Sequence, residues 1–409
     1  MSDKARFAAF NAFLRISKGA YSNLISDFNG LSDIDRAFAE SIALGSLERR
    51  LTLEFVLKGR VKSGTKQDIF ALLATGLYQI LYMDRVPDSA ACDETVSIAK
   101  AVFGRQSAGF VNAVLRGICR EKEAVYALIE TADEHIKFSV NNELYAIIKS
   151  QYGDRTEEIF NAFFGKSDTY LRVNTLKTDA KAVAFATEGE IISDSTVLCG
   201  NTKKAFSLIE SGEFYIQGLA SQKAVALLNA ERGQTVIDVC ACPGGKTLGA
   251  AIDMCNEGRV LAFDLHKNKL PLIEKSAERL GIDIITTEAH DAKAAKKELI
   301  GTADRVICDV PCSGTGVMGS KPEIKYKSPK DFCGLYPTQK AIIDSASQYL
   351  KAGGIMVYST CSINKLENEY VIKDFLETHD GYSLIHEETC LPCGREKEGF
   401  YMAKIIREY

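Results

Sequence analysis

One stretch of the chain restricts the fold more than any other: residues 235–247, TVIDVCACPGGKT. Val236 to Val239 is an apolar run interrupted only by Asp238, the pattern of a strand buried on both faces of a parallel sheet. Pro243-Gly244-Gly245 then turns the chain, and Lys246 opens an apolar helix. Strand, glycine turn and helix is how an open α/β sheet builds a nucleotide pocket at the carboxyl ends of its strands. Lacking Cβ atoms, Gly244 and Gly245 let the backbone approach a ligand closely. The stretch is neither GxGxxG nor the GxxxxGK[ST] phosphate loop.

From Gly218 onward strands and helices alternate. Strands are expected at 236–239, 259–264, 282–288, 305–309 and 355–359. Helices are expected at 248–255, at 267–280 closed by Gly281, at 339–350 stopped by Gly353-Gly354, and at 366–379. Residues 382–385 and 400–406 close as a β-hairpin. Repeated βα units imply a mostly parallel sheet, here with an antiparallel edge. Acids stand at successive strand ends, Asp238, Asp264, Asp291 and Asp309, and are expected along one rim beside the glycine turn. An acid after the second strand commonly accepts both ribose hydroxyls of an adenosine-type ligand. With no phosphate loop, the expected cofactor is a nucleoside without a pyrophosphate; S-adenosylmethionine fits better than ATP or NAD. Two cysteines, Cys312 in DVPCSGTG and Cys361 in YSTCS, follow two later strands in Pro/Gly/Ser/Thr loops. Such loops point at the ligand crevice, so both thiols are expected to face it.

Upstream, residues 1–128 read as a helical bundle, with Phe7, Phe10, Phe13 and Leu14 on one face of the first helix. Amphipathic patterns follow at 33–53, 68–83, 89–102 and 110–118. Residues 129–215 are mixed: helical spacing at 142–164, a strand at 170–176, a helix at 178–186 and strands from Phe206 to Gln217 around Gly212. That is too little for an independent core, so this part is expected to connect, face RNA and pack on a catalytic domain at 216–409.

The formal net charge of the 409 residues is −4, about +3 over residues 1–125 and about −7 beyond. Any nucleic-acid surface is therefore a local patch. Candidates are Arg49, Arg50, Lys58, Arg60, Lys62 and Lys66, and the lysines after the Cys312 loop, Lys321, Lys325, Lys327 and Lys330. No apolar run is long enough to cross a bilayer, and the N-terminus is charged; a cytoplasmic protein with no membrane partner is expected. In that compartment the 12 cysteines are mostly reduced core residues. Cys390-x-x-Cys393 lacks a second pair or a histidine nearby, so no metal site is expected.

The first part resembles the NusB-like helical domain, an RNA-binding module, in FAAFNAFLRI, LGSLERRLTLEFVL, LLATGLYQILYMDRVPDSAACDETVSIAK and GFVNAVLRGI. CACPGGK, DVPCSGTGVMGSKPEIKYK and YSTCSINKLENEYVI resemble the signature motifs of the Sun class of RNA cytosine-C5 methyltransferases. Leu171-Arg-Val-Asn174, the Gln217-Gly-Leu-Ala-Ser stretch and Glu398-Gly-Phe-Tyr-Met-Ala-Lys are similar too. Together the resemblance is to the Sun/RsmB subfamily, which methylates a cytosine of bacterial 16S ribosomal RNA. Alanine is more usual where Cys242 stands, and a basic residue with histidine where Ser320-Lys321 stands.

The resemblance implies an all-α NusB-like bundle followed by an α/β Rossmann-like, S-adenosylmethionine-dependent methyltransferase domain. It implies Cys361 as the nucleophile on carbon 6 of cytosine, Cys312 as the residue of product release, and Asp309 as a partner of the ring. Covalent attack of this kind splits one difficult step into easier ones. The loop Cys240, Ala241, Cys242, Pro243, Gly244, Gly245 and Lys246 would hold the methionine end of the cofactor, Asp264 the ribose and Asp291 the adenine edge, with Asp309 also at the cofactor. Lys246 has three open roles: supporting the turn, meeting substrate, or meeting cofactor. The partner implied is 16S ribosomal RNA, with the enzyme expected as a monomer. The same chemistry on tRNA or 23S rRNA, and a non-catalytic assembly factor, are the rival readings. The helical segment argues against the first, and intact Cys312, Cys361 and Asp264 against the second.

Overall fold

The computed structural model describes residues 3–18, 28–165, 167–332, 334–394 and 396–409. Cys333 lies outside them. The described residues form two compact units: one of residues up to Lys149 together with Lys321–Ser328, the other of Ser150–Ser320 and Pro329–Tyr409.

The first unit is helical: α1 (Lys4–Ser17), α2 (Asp33–Glu48), α3 (Arg50–Lys58), α4 (Gln67–Tyr82), α5 (Asp88–Phe103), α6 (Arg105–Arg120), α7 (Lys122–Glu130), α8 (Glu134–Lys137) and the start of α9 (Asn142–Tyr152). The amphipathic run at 33–53 is two helices, because Arg49 leaves helical geometry between them (φ −106°, ψ 15°). Phe10 and Phe13 enter the core with Leu47, Leu53, Leu77 and Leu115, while Phe7 stays 37% exposed.

The lysine-rich run after the Cys312 loop departs most from expectation. Lys321–Ser328 belongs to the helical unit, and Lys325 is fully buried there. Its Nζ donates to the Glu48 and Phe138 carbonyls at 3.4 Å each, and burial pushes its pKa down to about 7. Beside it the Tyr326 hydroxyl donates to the Leu47 carbonyl and accepts from the Arg50 N–H, with the Arg50 guanidinium over its ring. Lys325 is thus a core residue and does not track phosphate.

The second unit holds α10 (Thr156–Ala162) and two sheets. The smaller sheet is antiparallel, ordered β2-β3-β1-β4, from β1 (Tyr170–Val173), β2 (Glu190–Ser193), β3 (Thr196–Leu198) and β4 (Phe214–Ile216). It carries α11 (Ala180–Thr187) and α12 (Thr202–Leu208). A helix thus occupies 202–208, where strand was expected from Phe206. After α13 (Leu219–Leu228) come β5 (Thr235–Asp238), α14 (Gly245–Asp253), β6 (Arg259–Asp264), α15 (Leu270–Leu280), β7 (Ile285–Ala289), β8 (Ala303–Asp309), α16 (Leu335–Ser347), β9 (Leu350–Thr360), α17 (Glu369–Thr378), β10 (Tyr382–Cys390) and β11 (Phe400–Arg407). They form a seven-stranded sheet ordered β10-β11-β9-β8-β5-β6-β7. Its pairs from β9 to β7 are parallel, and β11 and β10 close it antiparallel, as the sequence pattern implies. Gly281 caps α15 in the left-handed region (φ +75°), a conformation glycine adopts without steric cost. Gly353-Gly354 does not stop α16; the helix ends at Ser347 and the glycines lie inside β9.

Two buried polar links fix the small sheet within this unit. Arg172 on β1 pairs with Asp253 at the end of α14. The fully buried Asn174 amide donates to the Gly212 carbonyl at 2.8 Å and the Leu280 carbonyl at 2.9 Å. Asn174→Ala would orphan both carbonyls, and denaturant melts should show a loss of about 2–4 kcal/mol. An unchanged midpoint would mean that solvent or a neighbour replaces both bonds.

Candidate active site

Parallel pairing places the site. β8 lies between β5 and β9 with Asp238 opposite Ile307 and Asp309 opposite Ser359, so these strand ends stand side by side. Asp309 accepts from the Ser359 hydroxyl at 2.6 Å and from the Lys246 ammonium at 2.7 Å. Lys246 arrives from the first turn of α14, its Nζ 5.2 Å from the centre of the Phe400 ring. Three residues after Asp309 and two after Ser359, the Cys312 and Cys361 sulfurs lie 3.1 Å apart. Neither sulfur is in a disulfide, and both residues are half-buried.

The thiol loops are braced from several sides. The Gly316 N–H donates to the Cys361 carbonyl at 2.9 Å, and the Gly399 N–H to the Gly316 carbonyl at 2.7 Å. A Cβ on Gly316 would fall 1.9 Å from the Gly399 carbonyl oxygen, so only glycine fits. Beyond Cys361, the Ile363 carbonyl accepts from the Tyr152 hydroxyl, and Gln151 bonds Asn364 and Lys365.

The four rim acids have separate environments. Asp238 is 1% exposed and accepts from the Thr247 hydroxyl at 2.6 Å and the Cys240 N–H at 3.3 Å. Burial pushes its pKa up to about 7, and the Asp309 charge acts in the same direction. Asp264 accepts from the Cys242 N–H at 3.2 Å and the His266 N–H at 2.9 Å, tying the glycine loop to the end of β6. Asp291 is exposed; it accepts from the Lys293 N–H and stands 3.4 Å from the Lys293 ammonium. Of these four acids, Asp238 and Asp309 line the cleft at this sheet edge, an open space of about 500 Å³ walled by Ile216, Gln217, Ser221, Cys240, Ala241, Cys242, Pro243, Gly245 and Lys246.

The glycine turn also packs closely on the protein itself, while Gly245 lines the cleft. Gly244 caps α14 at φ +111°, and a Cβ there would meet Ile273 at 3.1 Å; one on Gly245 would meet the Gln217 amide at 3.3 Å. The Cys242–Pro243 peptide is cis. Burial raises the Cys240 and Cys242 thiols, Cys242 to about 12 with Asp264 adding to the effect, so both are inert wall residues. Cys312 is also held well above the ordinary thiol range, first by its hydrogen bond with Cys361 and then by burial. Sequence reasoning passed over Gln217 and Ser221 as cleft walls, although the Gln217-Gly-Leu-Ala-Ser stretch carried a family likeness. It also gave no role to Glu367.

The basic patch expected on the bundle divides. Arg49 lies over the Tyr82 ring, Arg50 pairs with Glu54, and Arg60 reaches the Val56 carbonyl. Lys62 and Lys66 instead edge an open hollow with Ile69 and Phe110.

An open parallel sheet with a glycine turn after its first strand, strand-end acids and a cleft at that edge defines an S-adenosylmethionine-dependent methyltransferase. The residues present fit that methyl donor: the Asp309 carboxylate on the cleft wall suits a cation, and no side chain caps the first turn of α14, which suits an anionic group. Residues 225–406 match the family model described as 16S rRNA methyltransferase RsmB/F, and residues 3–120 match the NusB family. A Bacillus subtilis protein named "Probable ribosomal RNA small subunit methyltransferase B" is 33% identical over 397 residues, 92% of this chain and 89% of that one. The ribosomal RNA small subunit methyltransferase B of Yersinia enterocolitica is 31% identical over 92% of each chain. Among solved structures, PH0851 superposes with a TM-score of 0.80 at 23% identity over 99% of both chains. NSun6 from Pyrococcus horikoshii with SFG superposes with a TM-score of 0.59 at 20% identity, over 66% of this chain and 98% of that one. The chain belongs to the ribosomal RNA small subunit methyltransferase B family.

The raised Asp238 pKa has a defined sign. A carboxyl protonated more readily in the folded state favours folding at low pH, and that contribution is lost as pH rises towards about 7. Asp238→Asn, which keeps an acceptor but cannot ionise, should melt close to wild type near pH 5 and above it near pH 8. Parallel melting curves for the two proteins across that range would contradict the assignment.

Proposed function

We propose that this enzyme methylates carbon 5 of a cytosine in 16S ribosomal RNA through a covalent cysteine adduct, with Cys361 as nucleophile and Cys312 as the thiol of product release. The observation that carries the reading is the 3.1 Å contact between two sulfurs held at adjacent strand ends. A single nucleophile needs no such partner. The contact with Cys361 and burial raise the Cys312 thiol, which supports attack by Cys361 rather than by Cys312. S-adenosylmethionine supplies an electrophilic methyl group when bound. Its ribose falls to Asp264, its adenine edge to Asp291 and its methionine end to the Cys240–Lys246 loop.

The Cys361 sulfur forms a bond to carbon 6, and the electron pair of the 5,6 double bond becomes available at carbon 5. After methylation a base takes the carbon 5 proton, the electron pair of that carbon–hydrogen bond re-forms the 5,6 double bond, and the carbon–sulfur pair leaves on Cys361 as thiolate. Asp309, with the Lys246 ammonium, meets the ring where charge develops, since fixed charges need no reorganisation as the adduct forms. The target base must leave its stack to reach such a site, so a single-stranded or splayed cytosine is the substrate. Lys62, Lys66 and Phe110 on the bundle form a surface suited to the RNA backbone and an unstacked base.

Denaturing gels with labelled 16S RNA and methyl donor separate the thiols. Cys361→Ala should abolish both methylation and the covalent band, whereas Cys312→Ala should accumulate a covalent protein–RNA band. A band from Cys361→Ala alone would reverse the roles; full activity in both variants would end the covalent reading. Bisulfite mapping of ribosomal RNA and tRNA from cells lacking the protein tests the substrate. Asp264→Asn should weaken S-adenosylmethionine binding by about 1.5–3 kcal/mol, the scale of a lost charge-assisted hydrogen bond. Unchanged affinity by calorimetry would remove Asp264 from the cofactor site.

A further inference from the structure

Glu367 lies in the 3-10 turn Lys365–Glu367 between β9 and α17 and is 2% exposed. Its Oε1 accepts from the Ser313 N–H at 2.7 Å and the Gln339 amide at 3.2 Å. Its Oε2 accepts from the Ser313 hydroxyl and from the Ser362 hydroxyl, the latter at 2.7 Å. Four donors converge on one carboxylate, a wiring that an ionised, acceptor-only group satisfies. Ser313 directly follows Cys312, and Ser362 directly follows Cys361. One side chain therefore ties together the residues next to both thiols, which are 49 positions apart in the chain.

The surrounding bonds reinforce the tie. The Thr315 hydroxyl bonds the Ser362 hydroxyl at 2.8 Å and accepts from the Ile363 N–H at 3.1 Å. The Gln339 amide also holds the Pro311 carbonyl, just before Cys312, at 2.9 Å. Glu367 is itself anchored, its carbonyl accepting from the buried Tyr358 hydroxyl at 2.6 Å. Burying a carboxylate is costly unless charge-assisted hydrogen bonds offset the lost hydration, and here four do so.

We propose that Glu367 is a positioning residue for the two-thiol chemistry: it locks both loops at the spacing that brings the sulfurs into contact, and it supplies a fixed negative charge beside Cys312. The inference rests on the covalent reading given above. The charge adds to the sulfur contact and burial that keep the proton on Cys312.

The test uses the full chain with Glu367→Gln and Glu367→Asp. Glutamine keeps the shape and removes the charge; aspartate keeps the charge and shortens the reach. Single-turnover methylation should fall roughly 10²-fold in both, the scale for reacting groups displaced by about 1 Å, with S-adenosylhomocysteine affinity and KM for RNA unchanged. In a Cys361→Ala background, alkylation of Cys312 by iodoacetamide, followed by mass spectrometry, should show its pH midpoint lowered by Glu367→Gln and nearly restored by Glu367→Asp. Wild-type rates with an unmoved midpoint would overturn the proposal. So would activity that falls only in step with melting temperature and cofactor affinity, since that is a purely structural role. If Glu367→Gln does not fold, Ser362→Ala and Ser313→Ala each remove one arm of the tie, and each should slow turnover while sparing cofactor binding; no effect from either counts against it. If neither Cys312→Ala nor Cys361→Ala affects methylation, the covalent reading fails by itself, and the alkylation midpoint still decides whether Glu367 governs Cys312.

Discussion

Parallel pairing of β8 with β9 sets Asp309 opposite Ser359, and the whole site depends on that register. The Ser359 hydroxyl bonds Asp309, which pairs with Lys246, and the chain positions that follow deliver Cys312 and Cys361 to one another. Successive side chains of a strand point to opposite faces, so a slip of one residue would turn Asp309 away from Ser359 and separate the thiol loops. The apolar residues of these strands, Val306, Cys308, Met356 and Tyr358, hold the register through burial in one core. Core packing of these strands therefore also sets the geometry of the candidate site.

Aspartates at three neighbouring strand ends take different functions from their surroundings. Asp238 is buried with a hydroxyl and an N–H for partners, so it braces the turn and resists ionisation. Asp309 is partly open and faces an ammonium, so it presents charge to the cleft. Asp264 spends part of its acceptor capacity on two backbone N–H groups, which stiffens the loop and leaves lone pairs for a ligand. Sequence spacing placed all three at the sheet edge; the division of labour arises from burial and neighbours, which lie in other segments of the chain.

The large sheet was legible because its strands are continuous apolar runs ending in acids, and its helices carry period and caps, as Gly281 shows. That Cys312 and Cys361 follow neighbouring strand ends was legible from their motifs; that their sulfurs meet, with Cys361 against a hydrophobic core and neither on the wall of the cleft, was not. Nor was Glu367. Its partners Ser313 and Gln339 sit 54 and 28 residues away, and no local pattern distinguishes it from the neighbouring Glu369. Gly244 and Gly245 were read as places for a ligand to approach; Gly245 lines the cleft, and an added Cβ on each would also meet Ile273 and Gln217. Glycine reports close approach, and sequence does not say of what.

Lysines give the same lesson with charge. Lys325 stands in a run with Lys321, Lys327 and Lys330, the pattern of a solvated basic loop, but it is 0% exposed. Its long methylene stem can pass through a core, and two carbonyls at a helix end and a turn receive the ammonium. Burial pushes the ammonium's pKa down more than the nearby Glu48 charge raises it, so the downward direction follows from lost hydration. Tyr326 beside it spends its hydroxyl on the Leu47 carbonyl and the Arg50 N–H across the junction of α2 and α3, where the helix break leaves backbone groups without helical partners. The segment closes a gap that the helices alone leave open. That requirement is visible only once the break at Arg49 is known, which is why Lys325 reads as a solvated charge in composition and is a core residue in the structure.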